Sequence, residues 1–128
     1  MQGNRSRDTK PEVTLRRALH ALGLRYRVCA RPLADLRRST DIVLRPAKVA
    51  VEVRGCFWHG CPDHCRLPAT NQDYWRAKIT RNVARDADTE RRLEHAGWVV
   101  VVVWEHEDLQ RAARDIAQLV SARRGSVS

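Results

Sequence analysis

The sequence predicts one mixed α/β domain with its elements in the order αβββαβα. Three observations carry this prediction. Segments with apolar residues at helical spacing alternate with segments of strand length and strand pattern. Gly and Pro fall at the boundaries between them. A chain of 128 residues that is 43% apolar can bury one real core but has no need of two. The order implies two or three layers of helix and sheet. There is no internal repeat and no low-complexity tract. Residues 1–128 form a single domain, with 1–8 expected as a flexible arm and 124–128 as a flexible tail.

Thr9-Lys10-Pro11-Glu12 reads as a capping box that opens the first helix. Leu15, Ala18, Leu19 and Leu22 follow at i, i+3, i+4, i+7, and Gly23 ends the helix. Leu24, Tyr26 and Val28 alternate with Arg25, Arg27 and Cys29, as in a strand. Cys29 is read as a small buried hydrophobe. Thr40 to Leu44 is a second strand, stopped by Pro46. Lys48 to Val53 is a third, with Val49, Val51 and Val53 on one face. Residues 54 to 70 are a long loop rich in Cys, His, Gly and Pro. A helix from about Asn71 to Ala96 carries Trp75, Ile79, Val83, Ala87 and Leu93, and Gly97 closes it. The five consecutive valines between Trp98 and Trp104 predict a buried central strand. The last helix, about Asp108 to Arg123, carries Leu109, Ala113, Ile116 and Val120.

Lys and Arg number 24 against 15 Asp and Glu, a net charge of +9. Arg greatly outnumbers Lys, which suits contacts to phosphates and base edges. The balance favours a nucleic-acid partner. No apolar run approaches the roughly 18 residues of a membrane span, and the first residues carry no apolar leader. The expectation is a cytoplasmic, nucleoid-associated protein without a membrane partner. In a reducing compartment its four Cys are metal ligands or free thiols rather than disulfides.

Two constellations carry chemistry. The first is acidic. Asp41 opens the second strand, and Glu52-Val53-Arg54 ends the third. Glu52 and Arg54 share a face while Val53 points the other way. If the two strands pair, Asp41 and Glu52 converge, and two carboxylates make a hard oxygen site suited to Mg²⁺. A cation beside them helps to hold a phosphate or the attacking water. This is what metal-assisted phosphodiester hydrolysis needs.

The second constellation is Cys56-Phe57-Trp58-His59-Gly60-Cys61-Pro62-Asp63-His64-Cys65. Three Cys and two His within ten residues select Zn²⁺. Cys56, Cys61 and Cys65 supply three ligands, and His64 or His106 supplies the fourth. His106, just after the valine-rich strand, would tie the loop to the sheet. Phe57 and Trp58 stand adjacent in this polar loop, where they either stack on or wedge between bases or cap the core.

These residues resemble the very short patch repair DNA mismatch endonucleases. The resemblance rests on Cys56 to Pro62 with His64-Cys65, Pro68-Ala69-Thr70-Asn71, Tyr74-Trp75, Lys78-Ile79, Asn82 and Arg85-Asp86. It continues through Gly97-Trp98 and Val103-Trp104-Glu105-His106, and upstream through Asp8 to Glu12, Leu15-Arg16 and Thr40 to Val43. It covers roughly residues 8 to 108 in unbroken order.

The resemblance implies a restriction-endonuclease-like fold of the PD-(D/E)xK type, a mixed sheet flanked by helices with a structural zinc loop. It implies nicking of the strand 5′ of the mismatched T in T:G pairs left by deamination of 5-methylcytosine. Asp41 falls on the family's Mg²⁺-binding aspartate, His59 on its catalytic histidine and Glu12 on a first-helix glutamate near the site. Cys56, Cys61, Cys65 and His106 fall on the zinc positions. Phe57, Trp58 and Trp75 match aromatics that wedge into the duplex. The implied partners are double-stranded DNA with a T:G mismatch, mismatch-repair proteins and a repair polymerase; one-strand nicking implies a monomer.

The sequence departs from the family pattern in three places. Arg54 stands where relatives usually carry an acidic residue or His, which makes Glu52-Val53-Arg54 resemble D/E-x-K. Arginine cannot act as a general base near neutral pH, so its role there is phosphate clamping. Thr40 stands where Pro is common, and Met1 to Arg7 is shorter than the arm relatives carry. Two other classes remain open: a restriction-type nuclease with another target, and a non-catalytic, zinc-stabilised DNA-binding protein.

Overall fold

The computed structural model describes residues 10–55 and 70–125. Seven elements occur in the predicted order: α1 (Lys10–Ala21), β1 (Arg27–Ala30), β2 (Thr40–Leu44), β3 (Val49–Arg54), α2 (Gln72–His95), β4 (Val99–Trp104) and α3 (Leu109–Gly125). A 3₁₀ turn, Arg45–Ala47, joins β2 to β3. Thr9 of the capping box, the rest of the expected arm and residues 126–128 lie outside the described residues. Among the described residues no helix is long and apolar enough to cross a membrane.

The four strands lie in the order β1-β2-β3-β4. The pairs β1–β2 and β2–β3 are antiparallel, and β3–β4 is parallel. Parallel neighbours need a long crossover, and α2 supplies it. The tight turn between β2 and β3 depends on Lys48, which takes a left-handed conformation (φ 56°) and donates its N–H to the Arg45 carbonyl at 3.0 Å. The Lys48 carbonyl in turn accepts from Val99 N–H at 2.9 Å, fixing where β4 begins.

Helices cover both faces of the sheet. On one, Leu15, Ala18 and Leu19 of α1 and Ala112, Ala113, Ile116 and Val120 of α3 close over Ile42, Leu44, Val49, Val51 and Val103. On the other, Leu93 of α2 joins Leu36, Val43, Ala50 and Trp98 in a smaller cluster. The odd and even residues of β3 therefore serve different cores, as a strand's period of two requires. The architecture is three-layered.

Two helix ends were readable as glycine stops. Gly23 (φ 86°) and Gly97 (φ 91°) sit just past α1 and α2. The next residues, Leu24 and Trp98, donate back to the carbonyls of Leu19 (3.2 Å) and Leu93 (2.9 Å), the pattern of a Schellman cap. The start of α3 is capped by Asp108, whose Oδ1 accepts from the N–H groups of Gln110 and Arg111.

The structure corrects four expectations. Leu22 lies beyond α1 and is exposed, because the chain has already left the helix. The first strand begins at Arg27 rather than Leu24, and Cys29 within it is half-buried with φ 48°. The valine-rich β4 is an edge strand among the described residues, while β2 and β3 are the inner ones. Val83 and Ala87 of α2 are exposed; the buried side of that helix runs through Ile79, Thr89 and Leu93.

The loop between β1 and β2 is fastened to α2 by Arg38. Its Nη1 donates to Asp88 Oδ2 at 2.6 Å and Thr89 Oγ1 at 2.9 Å. Asp88 also receives Arg91 at 2.9 Å and Arg92 at 3.0 Å. The Arg38 hydrogen bond holds the Asp88 carboxyl below its ordinary value of 3.8; partial burial opposes this, and the charges of Arg92, Arg38 and Arg91 reinforce it.

Leu93→Ala is expected to cost about 2–5 kcal/mol in urea unfolding, whereas Val83→Ala changes stability by less than about 0.5 kcal/mol. A depressed carboxyl stabilises the fold above its unfolded-state value and ceases to do so as pH falls through the folded one. Wild type is therefore expected to be more stable than Asp88→Asn near neutrality, with the difference shrinking below the ordinary value of 3.8; chemical denaturation across that range measures it.

Candidate active site

The β2–β3 hairpin brings the acidic constellation together. Its register pairs Ile42 with Val51 and Val43 with Ala50. Continued by one residue, it sets Asp41 opposite Glu52. The turn at Arg45–Ala47 fixes this, because in an antiparallel pair the loop position determines which residues face each other. The two carboxylates have different hydrogen bonds. Asp41 Oδ2 accepts from the Val53 N–H at 2.7 Å, which anchors the aspartate across the end of the hairpin. Glu52 turns to Arg54: its Oε1 accepts from both Nε (3.1 Å) and Nη2 (3.0 Å).

Arg54 is the most enclosed charge in this region, its side chain 9% exposed. Besides Glu52, its Nη2 donates to Glu90 Oε2 at 2.8 Å, and its Nε lies 3.7 Å from Asp86 Oδ2. Burial pulls the guanidinium's pKa down. The hydrogen bond to Glu90, the charges of Glu52 and Asp86 and the hydrogen bond to Glu52 outweigh burial and raise it above the ordinary arginine value. The side chain is a permanent cation between β3 and α2. The expected phosphate clamp is thus engaged by three carboxylates of its own chain.

Glu90 was not singled out in the sequence, and Asp86 was quoted only as part of the resemblance, with no role assigned. They lie on α2 in the row Ile79, Asn82, Asp86, Glu90 and Leu93, whose steps of three and four follow helical spacing. The row traced in the sequence, Trp75, Ile79, Val83 and Ala87, steps by four each time and drifts around the helix toward solvent. The available signal was an acidic i, i+4 pair flanked by the two apolar anchors.

The remaining site candidates among the described residues stand on other elements. Glu12 is buried on the core side of α1, 3.9 Å from Arg16, and α1 belongs to the layer opposite α2. Trp75 is half-buried in the first turns of α2, with its ring centroid 5.0 Å from that of exposed Tyr74 at an interplanar angle of 76°. His106 is exposed in the turn after β4. That turn is tied to β3, because Glu105 N–H donates to the Arg54 carbonyl at 3.0 Å. Cys56, Phe57, Trp58, His59, Cys61, His64 and Cys65 lie outside the described residues.

Residues 1–67 match the family described as DNA mismatch endonuclease Vsr. The chain is 52% identical to the Type II nicking enzyme V.NaeI of Lentzea aerocolonigenes over 88% of its own length and 69% of that protein's. It is 43% identical to the Type II nicking enzyme V.XorIIP of Xanthomonas oryzae pv. oryzae, over 84% of this chain and 77% of that one. To the DNA mismatch endonuclease Vsr of Escherichia coli it is 37% identical, over 82% of this chain and 66% of that one. A four-stranded mixed sheet flanked by helices agrees with that relationship. The chain belongs to the Vsr family of DNA mismatch endonucleases.

Proposed function

We propose that this endonuclease nicks one DNA strand 5′ of the mismatched T in a T:G pair, with a divalent ion at Asp41. The observation that carries the reading is the hairpin end, where Asp41 is anchored by the Val53 N–H beside Glu52. The donor set there fits Mg²⁺, which takes hard oxygen ligands and is commonly held through one or two carboxylates. When bound, the ion polarises the phosphoryl oxygen and lowers the pKa of a coordinated water. Mismatch selectivity is supported by the name of the Escherichia coli relative, and nicking by the names of the other two.

The chain's own residues divide the work. Asp41 fixes the cation against the scissile phosphate. His59 accepts a proton from the attacking water or returns one to the leaving oxygen. Phe57, Trp58 and Trp75 separate stacked bases, a step that costs a few kcal/mol and least at a mismatch. Surface arginines such as Arg76, Arg81 and Arg85, all exposed on α2, suit phosphates without reading sequence.

Zinc bound by Cys56, Cys61, Cys65 and His106 would stiffen the loop that carries the aromatics. The parallel register supports His106 as the fourth ligand. Arg54 lies beside Trp104, so β3 ends two residues before Cys56 and β4 two residues before His106, at the same end of the sheet.

Purified protein with Mg²⁺ is expected to nick a T:G duplex and to spare the matched T:A duplex; gel assays on labelled strands read both. Equal cutting of the two removes the mismatch claim. Asp41→Ala is expected to bind the duplex in a mobility-shift assay without nicking it, and full activity in that variant removes the metal assignment.

A further inference from the structure

We propose that Arg54 is a resident cation that takes up the Glu52 carboxylate, so that the divalent ion is held through Asp41 and not through Glu52. This rests on the metal reading above and deepens it by assigning the second acidic position and the cation beside it. In the D/E-x-K arrangement that Glu52-Val53-Arg54 resembles, the acidic residue is free to serve the ion. Here the two carboxylates make different contacts. One oxygen of Glu52 receives two donors of the same guanidinium, at 3.0 and 3.1 Å. Asp41 Oδ2 instead receives the Val53 backbone N–H at 2.7 Å, which orients the carboxylate at the hairpin end.

Asp86 and Glu90 are positioning residues for Arg54. They meet the guanidinium from α2, at 3.7 and 2.8 Å, while Glu52 meets it from its own strand. Anchored from both sides and almost fully enclosed, the guanidinium cannot swing away to release Glu52. Nor can pH release it, since arginine keeps its proton. A divalent ion placed on Glu52 would have to displace or sit against a fixed positive charge in a region where water screens it poorly.

Mn²⁺ binding to the full chain, read from the electron paramagnetic resonance signal of the free ion, tests this without any turnover. Wild type is expected to bind one ion. Asp41→Asn weakens binding by about tenfold or more, as loss of a ligand does, whereas Glu52→Gln changes it by less than about threefold. Equal weakening by the two substitutions overturns the proposal and leaves the metal reading standing. An Asp41→Asn protein that binds Mn²⁺ as wild type does, or a wild type that binds none, overturns the metal reading itself. The double-mutant cycle adds a readout that a merely structural arginine would not move. With Arg54→Gln and Glu90→Gln combined so that the cluster keeps its net charge, Glu52→Gln is expected to weaken Mn²⁺ binding by about tenfold. The same small effect of Glu52→Gln in both backgrounds overturns the proposal. If the combined variant does not fold by circular dichroism, the comparison of Asp41→Asn with Glu52→Gln decides alone.

Discussion

The guanidinium of Arg54 sets the terms on which α2 meets the sheet. A buried cation is costly to strip of water unless carboxylates surround it with good geometry. Three of them do so here, two from α2 and one from the next position on the same face of β3. The consequence runs outward. At its C-terminal end α2 packs through Leu93 against Val43, Ala50 and Trp98. One turn earlier the same side of the helix has to be acidic. The segment therefore packs partly by burial of apolar surface and partly by ion pairing. Removing one charged partner would leave the others uncompensated, a loss of about 3–5 kcal/mol where such groups are buried.

That division explains which parts of the fold were legible. α1, β2, β3 and α3 could be read because their partners are apolar, so burial and hydrophobicity trace the same stripe. Leu15, Ala18 and Leu19 are buried where the pattern put them, as are Ala113, Ile116 and Val120. Along α2 the two diverge. Its existence and its end at Gly97 followed from length and punctuation, but the face turned inward carries Asp86 and Glu90 in place of Val83 and Ala87. Hydrophobicity cannot find a face whose partner is an arginine. The valines of β4 show a related limit. A continuous apolar run reports that helices cover both faces of a strand. It does not count the strands beside it, so an outer strand covered on both faces looks central.

The acidic pair was legible for a geometric reason. Ten residues separate Asp41 from Glu52, and the 3₁₀ turn at Arg45–Ala47 lies midway between them. Equal arms on either side of a turn place their ends opposite one another in an antiparallel hairpin. A motif that looks weak as a spacing becomes specific once Pro46 marks the turn. What the spacing could not show is the contact each carboxylate makes. That depends on Val53 presenting its N–H to Asp41 and on two residues of α2 more than thirty positions away. The loop with the thiols, His59 and the paired aromatics gave the strongest chemical signal in the sequence, and its residues 56–69 lie outside those described.

The charge distribution bears on how such a site accepts a polyanion. The chain carries +9 overall, yet Glu52, Asp86 and Glu90 gather around one buried arginine at the end of β3, with Asp41 opposite Glu52 on the neighbouring strand. Exposed basic residues on α2, such as Arg76, Arg81 and Arg85, present a positive face to a polyanion, while the carboxylates at the hairpin end repel any phosphate that reaches it. Arg54 offsets part of that repulsion but is surrounded by anions and enclosed, so its charge is spent within the protein. Among the described residues at that end, Arg54 therefore offers little positive charge to a phosphate. In the proposed function a divalent ion at Asp41 would supply that charge, and the need for it would follow from the same ion pairs that dock α2 on the sheet.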